Sequence, residues 1–330
     1  MIHNNTDVNS LMIVCIGGSN IDRKQFVSHK IKKNTTNMAS SILTYGGVAR
    51  NVSENLVKLG FDVRLITCYG EDNDGELLKN DLISKGINIE LSYRIPDTQT
   101  SSYNALMDVD GEMFVATVSN LDIYTKITVE EIRNSLSKLN DVRYIFLDTF
   151  FNTDCIHYVI TKCKEKNICL IVNPVSPLEA KKLPQNLSGV FLLVANELEA
   201  CSLAGFSSIY RKFHKMIAKK IHAKGVENIV ITCGARGAYC SEDSKKDRYI
   251  TPYIAKVVDV VGAGDAFIAG MLFSHGIGGD FFTMCEYGLA ASSLVLQESN
   301  TVSKLLNPEY LRSIIDNEVH RKAKTASNKR

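Results

Sequence analysis

Asp259-Val-Val-Gly-Ala-Gly-Asp265-Ala-Phe-Ile-Ala-Gly270 sets three small residues, Gly262, Ala263 and Gly264, directly ahead of a helix predicted from Asp265 to about Ser274. Small residues there let the main chain approach a ligand closely, and the free N–H groups of a helix start favour an anion. An acid in the first turn also steadies a helix, so Asp265 taken alone reads equally well as a cap. Capping explains less well why two acids, Asp259 and Asp265, flank the three small residues. An anion site beside a carboxylate is what phosphoryl transfer to an alcohol needs: charge stabilisation and a proton acceptor.

Outward from this stretch, apolar strand-like runs alternate with segments of helical period, which predicts an α/β fold with a largely parallel sheet. Leu11 to Ile16 reads as a buried first strand ending at Gly17-Gly18, and Val48 to Leu59 as a helix stopped by Gly60. Asp62 to Tyr69 is a strand and Gly75 to Ser84 a helix. Further strands are predicted at Arg143 to Leu147, Ile168 to Val172, Val190 to Val194 and Asn228 to Thr232. Lys24 to Tyr45 and Glu90 to Thr117 break the rhythm with extended segments, the second carrying a hairpin turn at Asp108 to Glu112. They predict a small β-sheet beside the main domain, able to close over a site and exclude water.

Composition narrows the function classes. The 330 residues are 45% hydrophobic, enough for one large core, and 38 basic against 36 acidic residues leave a net charge of +2. That balance gives no reason to expect nucleic acid or a membrane as partner. Arg321, Lys322, Lys324, Lys329 and Arg330 form a basic C-terminus that reads as a solvated, frayed tail. Nine cysteines, an odd number without Cys-x-x-Cys spacing, read as reduced buried thiols. With no secretory signal or membrane-length apolar run, the expected setting is cytoplasmic.

Three further motifs are individually weak. Gly17-Gly18-Ser19-Asn20-Ile21-Asp22 follows the first strand, where doubly wound sheets gather ligands, yet Asn and Asp are also ordinary turn formers. Asn196-Glu-Leu-Glu199 has oxygen donors suited to magnesium through water, and equally the pattern of a helix-start cap. Thr232-Cys-Gly234-Ala-Arg-Gly237 reads as a glycine-containing turn between two strands.

Asp259 to Gly270 resembles the C-terminal signature of the ribokinase-like, or pfkB, carbohydrate kinases, departing only at Val260, where Thr is usual. Gly46-Gly47-Val-Ala-Arg-Asn51-Val-Ser53, followed by Gly60, resembles the family's other signature, and the two stand in family order roughly two hundred residues apart. The resemblance runs from about Met12 to Leu306. It implies a three-layer α/β/α sandwich with a mostly parallel central sheet and a small β-sheet lid. The kinase domain would span 11–320, with lid segments at about 24–45 and 90–117, an N-terminal extension over 1–10 and a basic tail over 321–330.

What the family does implies roles by position. Asp265 would take the acceptor's proton, and the amides of Gly262, Ala263 and Gly264 would form the anion hole. Asn20 and Asp22 would hold sugar hydroxyls, with Gly46, Gly47 and Asn51 completing the sugar site and Asp148 adding a polar contact. Thr232, Gly234 and Gly237, with Asn196 and Gly264, would hold ATP; Asn196 and Glu199 would hold Mg2+, partly through water. Main-chain groups at Asp259 and Val261 would join a monovalent-cation site for K+. Arg50 is left without a role, as a simple surface charge. Asn173 stands where relatives commonly have Asp, which predicts a weakened metal dependence.

Within the family, Ile16-Gly-Gly-Ser-Asn-Ile-Asp-Arg23, Gly46-Gly-Val-Ala-Arg-Asn-Val-Ser-Glu-Asn-Leu56 and Asn120-Leu-Asp-Ile-Tyr124 look most like segments of pseudouridine kinases. The reaction so implied turns pseudouridine and ATP into pseudouridine 5′-phosphate and ADP. The base would lie against the lid, near Thr100, Ser102, Asn104 and Asn120. The alternatives are a kinase of ribose, fructose or adenosine, and a silent sugar- or nucleotide-binding regulator on the same fold. Some relatives pair through their lids, so a homodimer is a further expectation.

Overall fold

Unbroken apolar runs such as Ile13–Ile16 and Tyr144–Leu147 become strands buried on both faces, the environment of a parallel sheet covered by helices on each side. The computed structural model describes residues 8, 11–206, 213–242 and 246–327, with side chains to 317. In chain order, β1 (Met12–Ile16), β2 (Asn20–Val27) and β3 (Ala39–Gly46) lead into α1 (Val48–Lys58). Next come β4 (Asp62–Ile66), β5 (Cys68–Gly70), α2 (Asn73–Ser84), β6 (Tyr93–Ile95), β7 (Ser102–Met107) and β8 (Met113–Ser119). Then follow α3 (Val129–Ser137), β9 (Tyr144–Asp148), α4 (Thr153–Lys166), β10 (Cys169–Asn173), β11 (Val190–Asn196), α5 (Glu197–Ala204) and α6 (His214–His222). The chain continues with β12 (Asn228–Thr232), β13 (Ala238–Glu242), β14 (Lys246–Ile250), α7 (Ala263–Gly276), α8 (Phe281–Val295) and α9 (Pro308–Ser327).

The main sheet has the order β14-β13-β12-β11-β10-β9-β1-β4, parallel from β4 to β12 and antiparallel at β13 and β14. Alternate side chains serve two layers. Ile13, Cys15, Tyr144 and Phe146 pack into one apolar cluster with α1, α7 and α8, while Val14, Ile16, Ile145 and Leu147 pack into the other with α4 and α6. The result is the three-layer sandwich expected, with a second sheet, β3-β2-β7-β8, as the lid.

Several boundaries differ from the sequence reading. Asp62 to Tyr69 is two strands: β4 ends at Ile66, and after Thr67 the chain leaves the main sheet so that β5 pairs with β6. The lid begins at Asn20, so Asn20 and Asp22 stand on a lid strand and not in a turn. Of the segment 90–117, only the part from Ser102 joins the lid. Helix α7 starts at Ala263, two residues early, and α9 runs on to Ser327 through the boundary placed at 320. The extension 1–10, apart from Val8, and the last three tail residues lie outside the described residues. Eight of the nine cysteines are buried and none is in a disulfide; burial pushes the Cys15 thiol up to about 12.

Candidate active site

Strand β1 connects through α1 to β4 on one side, while its other neighbour, β9, arrives much later in the chain, so the crossovers diverge between β1 and β9. Such a switch point opens a crevice at the carboxyl ends of the strands. Here Gly17-Gly18-Ser19 leaves β1, Asp148 ends β9, and the N-termini of α1 and α7 converge.

Asn51, in the first turn of α1, donates through Nδ2 to Asp265 Oδ2 at 2.8 Å. Among the described residues Asp265 Oδ1 accepts no hydrogen bond. Burial raises the Asp265 carboxyl to about 7; the Asn51 bond and the Arg50 charge oppose the rise, and Asp148 and Glu199 add to it. The loop ahead of α7 is shaped by Gly262, whose φ is +85° and whose missing Cβ would fall 2.1 Å from the Thr301 carbonyl oxygen. Gly264 is different: a Cβ there would meet nothing within 4 Å. Fold packing does not demand glycine at 264; the open space beside the helix start fits an anion.

Asp22 is raised by burial to about 6 and receives the Asn20 side-chain amide. Gly46 makes room for it, since a Cβ at 46 would lie 2.4 Å from Asp22 Oδ2. Gly47 caps α1 with its missing Cβ 2.4 Å from the Gly18 carbonyl oxygen, so the first glycine loop and α1 lie in contact. Of the predicted sugar residues, Asn20, Asp22 and Gly46 thus lie together, Gly47 packs on the first glycine loop, and Asn51 is the one shown in contact with Asp265.

Asp148 does not stand as a free polar contact. It is fully buried and accepts main-chain N–H bonds from Gly18 (2.8 Å), Ala49 (3.2 Å) and Phe150 (3.0 Å). It clamps both glycine loops from below, and burial lifts it to about 6. Tyr124 acts similarly, its hydroxyl accepting from the Ser19 N–H at 2.9 Å. Thr100 likewise serves the scaffold, donating to Asp72, the cap of α2, while Asn120 bonds to the Thr100 carbonyl oxygen.

Arg50 is no surface charge. It is 3% exposed and ion-paired to Glu54 (2.6 Å) and Asp81 (2.7 Å). No sequence signal separated it from an exposed arginine, because its carboxylate partners come partly from another helix.

Asn196 and Glu199 form a reciprocal capping box on α5: Glu199 N–H donates to Asn196 Oδ1 and Asn196 N–H to Glu199 Oε2, both at 2.9 Å. Asn196 Nδ2 also donates to Glu199 Oε1 at 2.6 Å. The capping role is therefore real. A carboxylate keeps further lone pairs, so the pair fits a magnesium ion through its water shell better than by direct ligation. Asn173 is occupied at both ends of its amide, donating to the Val194 carbonyl oxygen and accepting from the Val175 N–H, each at 2.9 Å.

Thr232 ends β12, and the turn to β13 closes through Cys233 N–H to the Gly237 carbonyl oxygen at 2.8 Å. Gly237 is required by the fold, its missing Cβ 2.1 Å from the Ile250 carbonyl oxygen, whereas a Cβ at Gly234 would meet open space. Asp259 accepts from the Val261 N–H at 3.1 Å and from Lys24 of the lid. A cleft of about 760 Å³ lies between lid and core, lined among others by Asp22, Lys24, Tyr45, Arg50, Asp259 and Thr301. Asp265 does not line it.

A lid strand carrying Asn20 and Asp22, and a carboxylate at the head of a helix held by Asn51, are features that suit a small-molecule kinase. The model of the pfkB family of carbohydrate kinases matches residues 10–308, and the chain belongs to that family of phosphotransferases. It is 28% identical to the pseudouridine kinase of Escherichia coli (strain K12) over 92% of this chain and 96% of that one. It is 26% identical to the guanosine-inosine kinase of Exiguobacterium acetylicum over 79% of this chain and 86% of the relative. A carbohydrate kinase structure from Agrobacterium tumefaciens matches with a TM-score of 0.80 at 25% identity, covering 92% and 96%. A ribokinase structure from Thermotoga maritima shares the fold with a TM-score of 0.79 at 21% identity, covering 93% and 99%.

Proposed function

We propose that this chain transfers the γ-phosphoryl group of ATP to the 5′-hydroxyl of pseudouridine, giving pseudouridine 5′-phosphate and ADP. The observation that carries the chemistry is the Asn51–Asp265 contact beside the open face of Gly264. The similarity to a pseudouridine kinase supports the acceptor.

In this reading Asp265 receives the hydroxyl proton as the new oxygen–phosphorus bond forms and the bond to the β-phosphate oxygen breaks. A carboxyl near 7 is well matched to that task at neutral pH. The amides of Gly262 and Gly264 would meet the developing negative charge, and the Ala263 N–H, which donates to the Val260 carbonyl oxygen over a long 3.4 Å, would have to turn to join them. Asn20, Asp22, Gly46, Gly47 and Asn51 hold the ribose, and Thr232, Gly234 and Gly237 hold the nucleotide. Magnesium bound with ATP would neutralise phosphate charge, held by Asn196 and Glu199 through water. Potassium belongs near the main chain of Asp259 and Val261. The buried thiols support a cytoplasmic setting. The exposed lid side chains Ile42, Met113, Phe114, Val115 and Val118 support pairing of two copies through the lid.

A guanosine-inosine kinase and ribokinases are also relatives, which favours as second reading another nucleoside or ribose as acceptor. ATP consumption measured over pseudouridine, uridine, adenosine, ribose and fructose separates the two. Pseudouridine should give the highest kcat/KM, and Asp265→Asn should lower that turnover by about a thousandfold or more while leaving nucleoside binding in place. Preference for another acceptor removes the substrate assignment. Near-normal turnover by Asp265→Asn removes the base.

A further inference from the structure

We propose that Arg50 is a positioning residue for Asp265, fixing the side-chain amide of Asn51 so that its NH2 end faces the carboxylate. The proposal rests on the reading of Asp265 as base. Arg50 Nη1 donates to Asn51 Oδ1 at 3.1 Å, and Thr301 Oγ1 reaches the same oxygen at 3.4 Å. A guanidinium has donors only, so the end of Asn51 that faces it must be oxygen. The other end, Nδ2, is thereby committed to Asp265 Oδ2 at 2.8 Å. A flipped amide would set NH2 against the guanidinium and a carbonyl against the carboxylate. Both contacts are repulsive.

The arginine itself is held from two helices. Glu54, one turn along α1, and Asp81, on α2, each bind Nη2, and Lys85 reaches Glu54 at 3.2 Å. This arrangement is poor as a device for stability alone. It buries a cation in the first turn of a helix, against the positive end of the helix dipole, and burying charge costs more than apolar packing at the same place. Its geometry is explained by what it orders, the two-step chain Arg50–Asn51–Asp265.

The charges facing Asp265 come from three elements. Asp148 at the end of β9 and Glu199 on α5 favour its protonated form, and Arg50 on α1 opposes them. Arg50 therefore acts twice, through its field and through the amide it orients.

Two variants test this: Arg50→Gln/Asp81→Asn, in which Glu54 keeps Lys85, and Arg50→Lys, which keeps a charge in place and folds even where the first does not. Carbon-13 NMR follows the titration of the Asp265 carboxyl, with Asp265→Asn identifying its resonance, alongside the pH profile of pseudouridine phosphorylation. The double variant should titrate about one pH unit higher than wild type, and Arg50→Lys higher by a smaller step. Turnover at pH 7 should fall about fivefold and recover above about pH 9, with KM for pseudouridine within about twofold. An unmoved Asp265 titration in the folded variants overturns the inference, whatever the acceptor. Should Arg50→Lys, which keeps the charge, move the titration while Asp265→Asn still turns over, the relay stands and the base assignment falls; a shift in the double variant alone is the field of Arg50 and overturns the relay. Should Asp265→Asn be inactive and the titration unmoved, only the relay falls.

Discussion

Lys24 of lid strand β2 reaches Asp259 of the loop before α7, Nζ to Oδ2 at 3.3 Å, and so ties the lid to the segment that delivers Gly262, Ala263 and Gly264. Both side chains are about a quarter exposed, at 27% and 26%.

A pair of that exposure contributes little to stability, about 0–1 kcal/mol. Its larger effect should be on closure. Lys24→Met should leave the melting temperature within about 2 °C of wild type but raise the acceptor KM about threefold or more. Steady-state kinetics and a thermal melt check both halves; an unchanged KM would show that closure does not use this contact.

Gly262 and Gly264 should respond to alanine in opposite ways. Gly262→Ala drives a methyl onto the Thr301 carbonyl oxygen from a left-handed backbone, so it should cost about 1–3 kcal/mol of stability. Gly264→Ala meets open space within a helix and should fold at least as well as wild type. Its methyl would still stand where the phosphoryl group belongs, so turnover should drop about a hundredfold. Melts and single-turnover rates distinguish the two; an active Gly264→Ala would place the anion elsewhere.

Asp22, Asp148 and Asp265 are all held above the ordinary value of 3.8, at about 6, 6 and 7. A carboxyl with a raised folded pKa binds more protons folded than unfolded between its two values. Stability therefore falls as pH rises from about 4 to about 7. Asp265→Asn removes one such group, so it should melt at least about 2 °C above wild type at pH 8, with the gap closing towards pH 4. Turnover runs the other way, rising through pH 7 as the base ionises. A melting gap that does not depend on pH would contradict the raised carboxyl.

Asp148→Asn replaces one of two accepting oxygens by a donor beneath three buried N–H groups. At least one N–H is left unpaired, that of Phe150 if the NH2 replaces Oδ1, at a cost of about 1–3 kcal/mol. Denaturant unfolding should show that loss. Acceptor KM should also rise, because the Gly18 and Ala49 loops that the carboxylate clamps carry the sugar residues. Wild-type stability would mean that water replaces the missing acceptor.

Much of the fold was legible because it is written in periodicity. The runs at 13–16, 144–147 and 228–232 are apolar on both faces, and only a covered parallel sheet uses strands of that kind. The hairpin at Asp108 to Glu112 was legible from its turn residues and closes as expected, through Asp108 N–H to the Glu112 carbonyl oxygen at 2.8 Å. The break at Thr67 was not, since nothing local distinguishes a strand that changes sheets from one that continues. At the site, glycine-rich turns and a flanking acid announced Asp265. The Asn-x-x-Glu segment announced both of its readings, and the capping geometry is present. Asp148 was misread because a buried acceptor of main-chain N–H groups looks, in sequence, like any polar residue after a strand.

By itself the sequence determined the alternation of strands and helices, the glycine positions that only a close approach or a left-handed turn explains, and the carboxylate at the head of α7. These are local properties, set by neighbours a few residues away. Only the tertiary structure decided which polar groups face one another: Asn51 and Asp265 are 214 positions apart, and the charges around Asp265 come from α1, β9 and α5. The burial that lifts an aspartate towards neutrality, and the ion pairs that hold Arg50 beneath it, exist only once those elements have packed and excluded water.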